Sequence, residues 1–194
     1  MSPTVSCPRR SDPTGYAQLM PADARSAARN GSTITVARQR VVNFSAPYFD
    51  ANQGVLLKKG GTAPHSLADL KKMSLCAQSA TTGLDYAQHQ LHASHIQIFT
   101  KTSAAFAALQ VGRCDAFIMD VPIIASQKKT RPSSYGAIAG QIITNEKYGA
   151  VLAKGSTLTP FVSNAIKALT KSGTIGKLQK KWFNINVAEI PVLK

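Results

Sequence analysis

Thr33 and Arg38 stand five residues apart in the run Thr33-Ile34-Thr35-Val36-Ala37-Arg38. A guanidinium binds a carboxylate through two parallel hydrogen bonds, which fixes orientation as well as affinity. A threonine hydroxyl close by can donate to the same oxygens. The pair therefore has the chemistry to grip a small carboxylate. Phe44-Ser45-Ala46-Pro47-Tyr48-Phe49 follows it, strand-like and broken by a proline.

Two further positions carry complementary chemistry. Thr81-Thr82 falls between a strand-like and a helix-like stretch. The N–H groups at a helix start lack partners and sit at the positive end of the helix dipole, so an anion docks there readily. Thr81 equally fits a plain N-cap. Asp120 closes the apolar strand Ala116-Phe117-Ile118-Met119, ahead of Val121-Pro122. At the C-terminal edge of a parallel strand a carboxylate faces the crevice where such sheets bind ligands, and it suits an ammonium. It also fits the N-cap of the helix that follows.

Other chemistries find little support. His89 and His92 share a helical stretch, but His95 lies past its end, and no carboxylate or cysteine completes a set nearby. No metal is expected, and the histidines read as exposed. No G-x-S-x-G, Ser-His-Asp order or phosphate loop occurs, so no cofactor is expected. Cys7, Cys76 and Cys114 form no C-x-x-C. Cys76 and Cys114 lie in two apolar stretches, so buried free thiols are expected, and a disulfide between them is not legible from sequence.

The elements that position these groups read as alternating strands and helices. Gly54-Val55-Leu56-Leu57-Lys58 suits a buried strand closed by Gly60-Gly61. Ser66, with Asp69 three residues on, caps a helix over 67–72. Strands follow at Ser74–Gln78, His95–Phe99 and Ala116–Met119. Helices fall at about 82–91, after a cap at Ser103, and around 122–129. This alternation predicts an α/β sheet with parallel strands. Tyr148–Ala153 is a further apolar run. A long helix then carries Phe161, Ala165, Ile166 and Leu169 on one side, Gly173 interrupts it, and a second helix runs to Trp182-Phe183. Residues 1–30, with Pro3, Pro8, Pro13 and Pro21, read as irregular.

The chain has 194 residues, with 23 Lys+Arg against 9 Asp+Glu for a net charge of +14. The basic residues are scattered in pairs, and no nucleic-acid-binding signature accompanies them, so nucleic acid is not an expected partner. Net basicity favours anionic or neutral ligands, although the local charge of a pocket decides. No apolar run approaches the roughly 18 residues that span a bilayer, and the first residues lack the apolar stretch of a secretory signal.

These motifs together resemble the polar amino-acid-binding proteins, the periplasmic solute receptors of ABC importers. Thr33…Arg38…Phe44–Phe49 resembles their hinge-entry motif. Gln78-Ser79-Ala80-Thr81-Thr82 with Asp85-Tyr86-Ala87 resembles the anion loop of the second lobe. Gly112-Arg113-Cys114-Asp115-Ala116…Met119-Asp120 resembles the family's G-R-x-D-A…D segment. Glu146-Lys147-Tyr148-Gly149 and Gly173-Thr174…Lys181-Trp182-Phe183 resemble its return hinge and C-terminal signature.

The resemblance implies an α/β, periplasmic-binding-protein-like (type II) two-lobe fold, closing on an amino acid. Thr33 and Arg38 would hold the α-carboxylate, Thr81 and Thr82 would add donors from the second lobe, Asp120 would pair with the α-ammonium, and Gln78 would line the pocket. Residues 54–145 would form lobe 2, and 31–53 with 146–194 what is present of lobe 1, the N-terminal part of that lobe missing; residues 1–30 do not match. The partners implied are an amino acid and the ABC permease subunits in the membrane. Location would be periplasmic by the resemblance, cytoplasmic if the chain is expressed as written. Incomplete lobe-1 packing implies a homo-oligomer or strand-exchanged dimer. Two alternatives stand beside this: a cyclohexadienyl dehydratase-like enzyme, with Asp85 and Asp120 as candidate acids, or a remnant that binds nothing. The family usually has glycine where Ala80 stands.

Overall fold

The computed structural model describes residues 29–183 and 190–194. Of the irregular reading of residues 1–30, residues 1–28 and with them Cys7 lie outside the described residues, whereas Arg29 and Asn30 open strand β1 instead of being irregular. In chain order the elements are β1 (Arg29–Thr33), α1 (Val36–Gln39), β2 (Val42–Phe44), β3 (Phe49–Asp50), β4 (Gln53–Leu57) and α2 (Leu67–Lys72). They continue with β5 (Ser74–Gln78), α3 (Thr82–His89), β6 (His95–Phe99), α4 (Thr102–Gln110), β7 (Ala116–Asp120) and α5 (Val121–Thr130). The last are β8 (Ile138–Ile142), β9 (Lys147–Ala153), α6 (Thr159–Lys171) and α7 (Thr174–Phe183).

The first sheet is built on β9, which pairs antiparallel with β1, β2 and β3. The Phe44–Phe49 run is the chain's track along this strand. Ser45 N–H donates to the Ala150 carbonyl, Ala150 N–H returns a bond to Ser45 Oγ, and Tyr48 N–H donates to the Tyr148 carbonyl. Pro47 stands between β2 and β3, where its missing N–H interrupts no ladder.

The second sheet has the order β6-β5-β7-β4-β8. Strands β6, β5 and β7 run parallel, as the alternation predicts. Strand β4 does not: it is antiparallel to β7 and to β8. It enters straight from the first sheet through Ala51-Asn52 rather than through a crossover helix, so nothing imposes a parallel direction. Strand β8, with Gly140 and Gln141 in its short span, was not anticipated.

Every residue of β4 and β7 is buried. Helices α2 and α3 cover one face through Leu70, Tyr86 and Ala87 against Leu75, Val55 and Ile118. Helices α4 and α5 cover the other through Phe106, Leu109 and Ile124 against Leu56, Phe117 and Met119. Helix α5 lies so close to β4 that a Cβ on Gly54 would sit 2.4 Å from Ile124 Cδ1, which explains a glycine in a central strand.

Ser66 caps α2 as expected, accepting from Asp69 N–H. Ser103 does not cap α4: the N-cap is Lys101, without a side-chain bond, and Ser103 falls inside the first turn. Cys76 and Cys114 are not free thiols; they form a disulfide across a Cα–Cα distance of 5.7 Å. It ties β5 to the turn before β7.

The tail 190–194 lies on the second sheet, although the sequence reading assigns it to lobe 1. Gln141 N–H donates to the Pro191 carbonyl and Leu193 N–H to the Gln141 carbonyl. Leu193 packs into the core on the α2–α3 side. Helices α6 and α7 pack beside the first sheet, but no residue of α6 is buried. Phe161 and Trp182 are 71% and 63% exposed.

Candidate functional site

Two segments cross between the sheets, 51–52 from β3 to β4 and 143–146 from β8 to β9. They are tied together: Asn145 N–H donates to Asn52 Oδ1, and Asn52 Nδ2 to Gln141 Oε1. Beside this crossing stand the C-terminal end of β7, the N-terminus of α3 and helix α1. The sheets are thus joined where their strand ends bring polar side chains together.

Asp120 ends β7 and is buried. It makes no side-chain cap to α5, so the N-cap reading accounts for its position but not for its carboxylate. One oxygen, Oδ1, accepts from Gln53 Nε2 at 2.8 Å. The other, Oδ2, accepts a short hydrogen bond from the Tyr148 hydroxyl. Burial pushes the Asp120 carboxyl up, while the Tyr148 and Gln53 bonds and the nearby Arg38 charge pull it down. Burial and the Asp120 charge raise the Tyr148 phenol far above its ordinary range, so it stays a donor.

Gln53 is the hub. It is fully buried at the head of β4. Its Nε2 faces three acceptors: Asp120 Oδ1, Glu146 Oε2 at 2.8 Å and Thr82 Oγ1 at 3.1 Å. Thr82 in turn donates its hydroxyl to Glu146 Oε2 at 2.9 Å. Burial raises the Glu146 carboxyl, the Thr82 and Gln53 bonds lower it, the Asp120 charge raises it and Arg38 lowers it. Gln53 Oε1 has no hydrogen-bond partner.

Arg38 reaches from α1 to both halves. Nη1 donates to the Thr33 carbonyl at 3.0 Å and Nη2 to the Ala80 carbonyl at 3.1 Å. Thr33 is buried at the end of β1, and the recorded contact with Arg38 runs through its carbonyl. Thr81 is the N-cap of α3: its Oγ1 accepts from Leu84 N–H and donates to the Gln78 carbonyl. Gln78 closes β5, and its Oε1 accepts from the Thr102 hydroxyl at the start of α4. Ala80, between them, has φ 58°, the left-handed region that favours glycine.

The six sequence-selected residues therefore divide. Arg38, Thr82 and Asp120 gather in one polar cluster, with Thr33 beneath Arg38. Thr81 and Gln78 hold the loop that presents Thr82. Sequence reasoning missed Gln53, Glu146 and Tyr148 as members of the cluster. A polar residue heading an otherwise apolar buried strand was the available signal for Gln53. Asp85 is exposed, paired with His89 at 3.0 Å on the surface of α3.

A mixed α/β fold of two sheets, joined by paired crossing segments with a carboxylate, a guanidinium and a helix N-terminus at the join, defines a type II periplasmic-binding-protein fold. The chain belongs to the bacterial extracellular solute-binding proteins, family 3, whose model matches residues 21–185. It is 31% identical over 160 residues to the ABC transporter glutamine-binding protein GlnH of Bacillus subtilis, covering 81% of this chain and 57% of that protein. The arginine-, lysine-, histidine-binding protein ArtJ of Geobacillus stearothermophilus superposes with a TM-score of 0.67 at 34% identity, covering 80% of this chain and 68% of ArtJ. An ancestral amino acid-binding protein described as a precursor of cyclohexadienyl dehydratase superposes with a TM-score of 0.66 at 34% identity, covering 79% of this chain and 66% of the ancestor. The chain spans about 57–64% of the length of the first four curated relatives it matches.

Proposed function

We propose that the chain is the solute-binding component of an amino-acid ABC transport system. It takes a polar amino acid by its α-carboxylate and α-ammonium at the join between the sheets. One observation carries this reading: Arg38, on α1 beside the first sheet, donates from Nη2 to the Ala80 carbonyl of the second-sheet side, and the buried Asp120 carboxylate stands on that side at the end of β7. A zwitterion presents the matching pair of charges. Arg38 serves the α-carboxylate with Thr33 beside it, and the N-terminus of α3 with Thr81 and Thr82 supplies further donors. Asp120, held by Gln53 and Tyr148, serves the α-ammonium, and Gln78 shapes the loop. The relatives named for amino-acid ligands support the same class of solute. By the same reading the partners are an amino acid and membrane permease subunits, in the periplasm, with residues 54–145 acting as one lobe.

Titration calorimetry against the twenty amino acids tests the proposal. Binding of at least one with one-to-one stoichiometry is expected, and Arg38→Ala should abolish it because the carboxylate loses its bidentate partner. Silence across all twenty would instead favour a remnant that binds nothing. The dehydratase alternative loses one of its two candidate acids: Asp85 is committed to a surface pair with His89, and the carboxyl that stands beside Asp120 instead, Glu146, is held by Gln53 and Thr82. Turnover of prephenate or arogenate would restore that alternative.

A further inference from the structure

Among the described residues, the join holds more carboxyls than the ammonium of a zwitterion can pair. Asp120 and Glu146 share Gln53 Nε2 as a neighbour, each with an oxygen 2.8 Å from it. Among the described residues, the cation that acts on both carboxyls is Arg38. A bound zwitterion satisfies Arg38 with its carboxylate and Asp120 with its ammonium, which leaves the charge of Glu146 over.

Donors are short as well. The two hydrogens of Gln53 Nε2 serve three acceptors. The other end of that amide, Oε1, is fully buried and accepts from nothing. It lies against α3, where a Cβ on Gly83 would come within 2.7 Å of it. A buried charge without a counterpart is costly, and a buried acceptor without a donor is costly too. A ligand that brings positive charge relieves the first of these.

We propose that the site selects amino acids of net positive charge, with Glu146 as the specificity-determining carboxylate, positioned by Gln53 and Thr82. The proposal rests on the amino-acid-binding reading above. It reverses what the net charge of +14 suggests: the basic surface slows the approach of a cation, but the local field at the join decides which ligand stays. Glu146 works through that field and needs no contact with the ligand side chain.

The test is calorimetry on the full chain at pH 7.5 and low salt, with L-arginine, L-lysine, L-glutamine and L-glutamate. Arginine or lysine should bind at least about tenfold more tightly than glutamine, and glutamate most weakly. Glu146→Gln should narrow the gap between arginine and glutamine by about tenfold while moving glutamine less than about threefold. Glu146→Asp, which keeps the charge, should restore most of the preference. Glutamine or glutamate binding as tightly as the cations would overturn the inference and leave amino-acid binding standing. So would an equal loss for all ligands in Glu146→Gln, which marks a structural role. If none of the four binds, this inference is overturned, and a positive result elsewhere among the twenty amino acids would keep the broader reading alive. The comparison among ligands on the parent chain needs no variant to fold.

Discussion

The polar cluster at the join sets a pH response that belongs to two carboxyls. Burial raises Asp120 and Glu146 above their ordinary values, and the unfolded chain titrates near about 3.9 and 4.3. Between unfolded and folded values the native state keeps protons that the unfolded chain has released. Stability from these groups is therefore complete at low pH and is lost as pH rises through their folded values. Asp69 and Asp115, lowered by bonds from Ser66 and Lys58, work in the opposite sense below about pH 4. Melting temperature should fall in the unliganded chain as pH rises from the unfolded values of these carboxyls through their folded ones, and Glu146→Gln should flatten that fall; an unchanged slope in the variant would refute the assignment. Ala80 offers a second prediction. Its left-handed backbone costs about 1 kcal/mol for a residue with a Cβ. Ala80→Gly should stabilise the chain by roughly 0.5–1 kcal/mol, read by urea denaturation, and its carbonyl should still meet Arg38. Arg38, Thr82 and Asp120 were legible in the sequence because each sits at a strand or helix end with distinctive chemistry. Gln53 and Glu146 were not, because they meet across 93 residues: a polar head on an apolar strand marks Gln53, but nothing local says what it faces.

Elements were legible where a local signal sufficed. Ser66 and Asp69 announce α2, and alternation announces β6. Strand direction was hidden, since β4 looks the same in sequence whether it runs with or against β7. The Cys76–Cys114 bond was hidden too, because it depends on β5 and β7 being neighbours. Its loop of 38 residues bounds its effect at about 4 kcal/mol in the chain-entropy account. Replacing both cysteines by serine should lower unfolding free energy by about 2–4 kcal/mol, measured by urea denaturation without reductant. Helix α3 gives a sharper test. Gly83→Ala adds helix propensity worth about 1 kcal/mol, yet its Cβ would press on Gln53 Oε1 and come within 3.2 Å of the Ile118 carbonyl. The variant should lose ligand affinity despite the better helix former; retained affinity would show that Gln53 can move.

At the scale of the molecule the two sheets are unequally covered. Helices α2 to α5 close both faces of the second sheet. Helices α6 and α7 leave Phe161, Leu169, Leu178 and Trp182 exposed, beside Lys167, Lys171, Lys177, Lys180 and Lys181. Exposed apolar faces of this kind drive association, whereas like charges around them oppose it. We expect a monomer–dimer equilibrium that shifts to dimer as salt rises, seen by sedimentation and weakened by Phe161→Ser with Leu169→Ser. A monomer at every salt concentration would count against it. Sequence periodicity showed these helical faces clearly but not whether anything covers them. The tail has a mechanical consequence of its own. Residues 190–194 are bonded along β8, and the Lys194 carbonyl accepts from Leu67 N–H. A pull on Lys194 is therefore carried first by the edge of the second sheet and only then by α7, the last described helix before it. A surface tether attached there would load the sheet that supplies Asp120 before it loads the sheet beside which Arg38 stands.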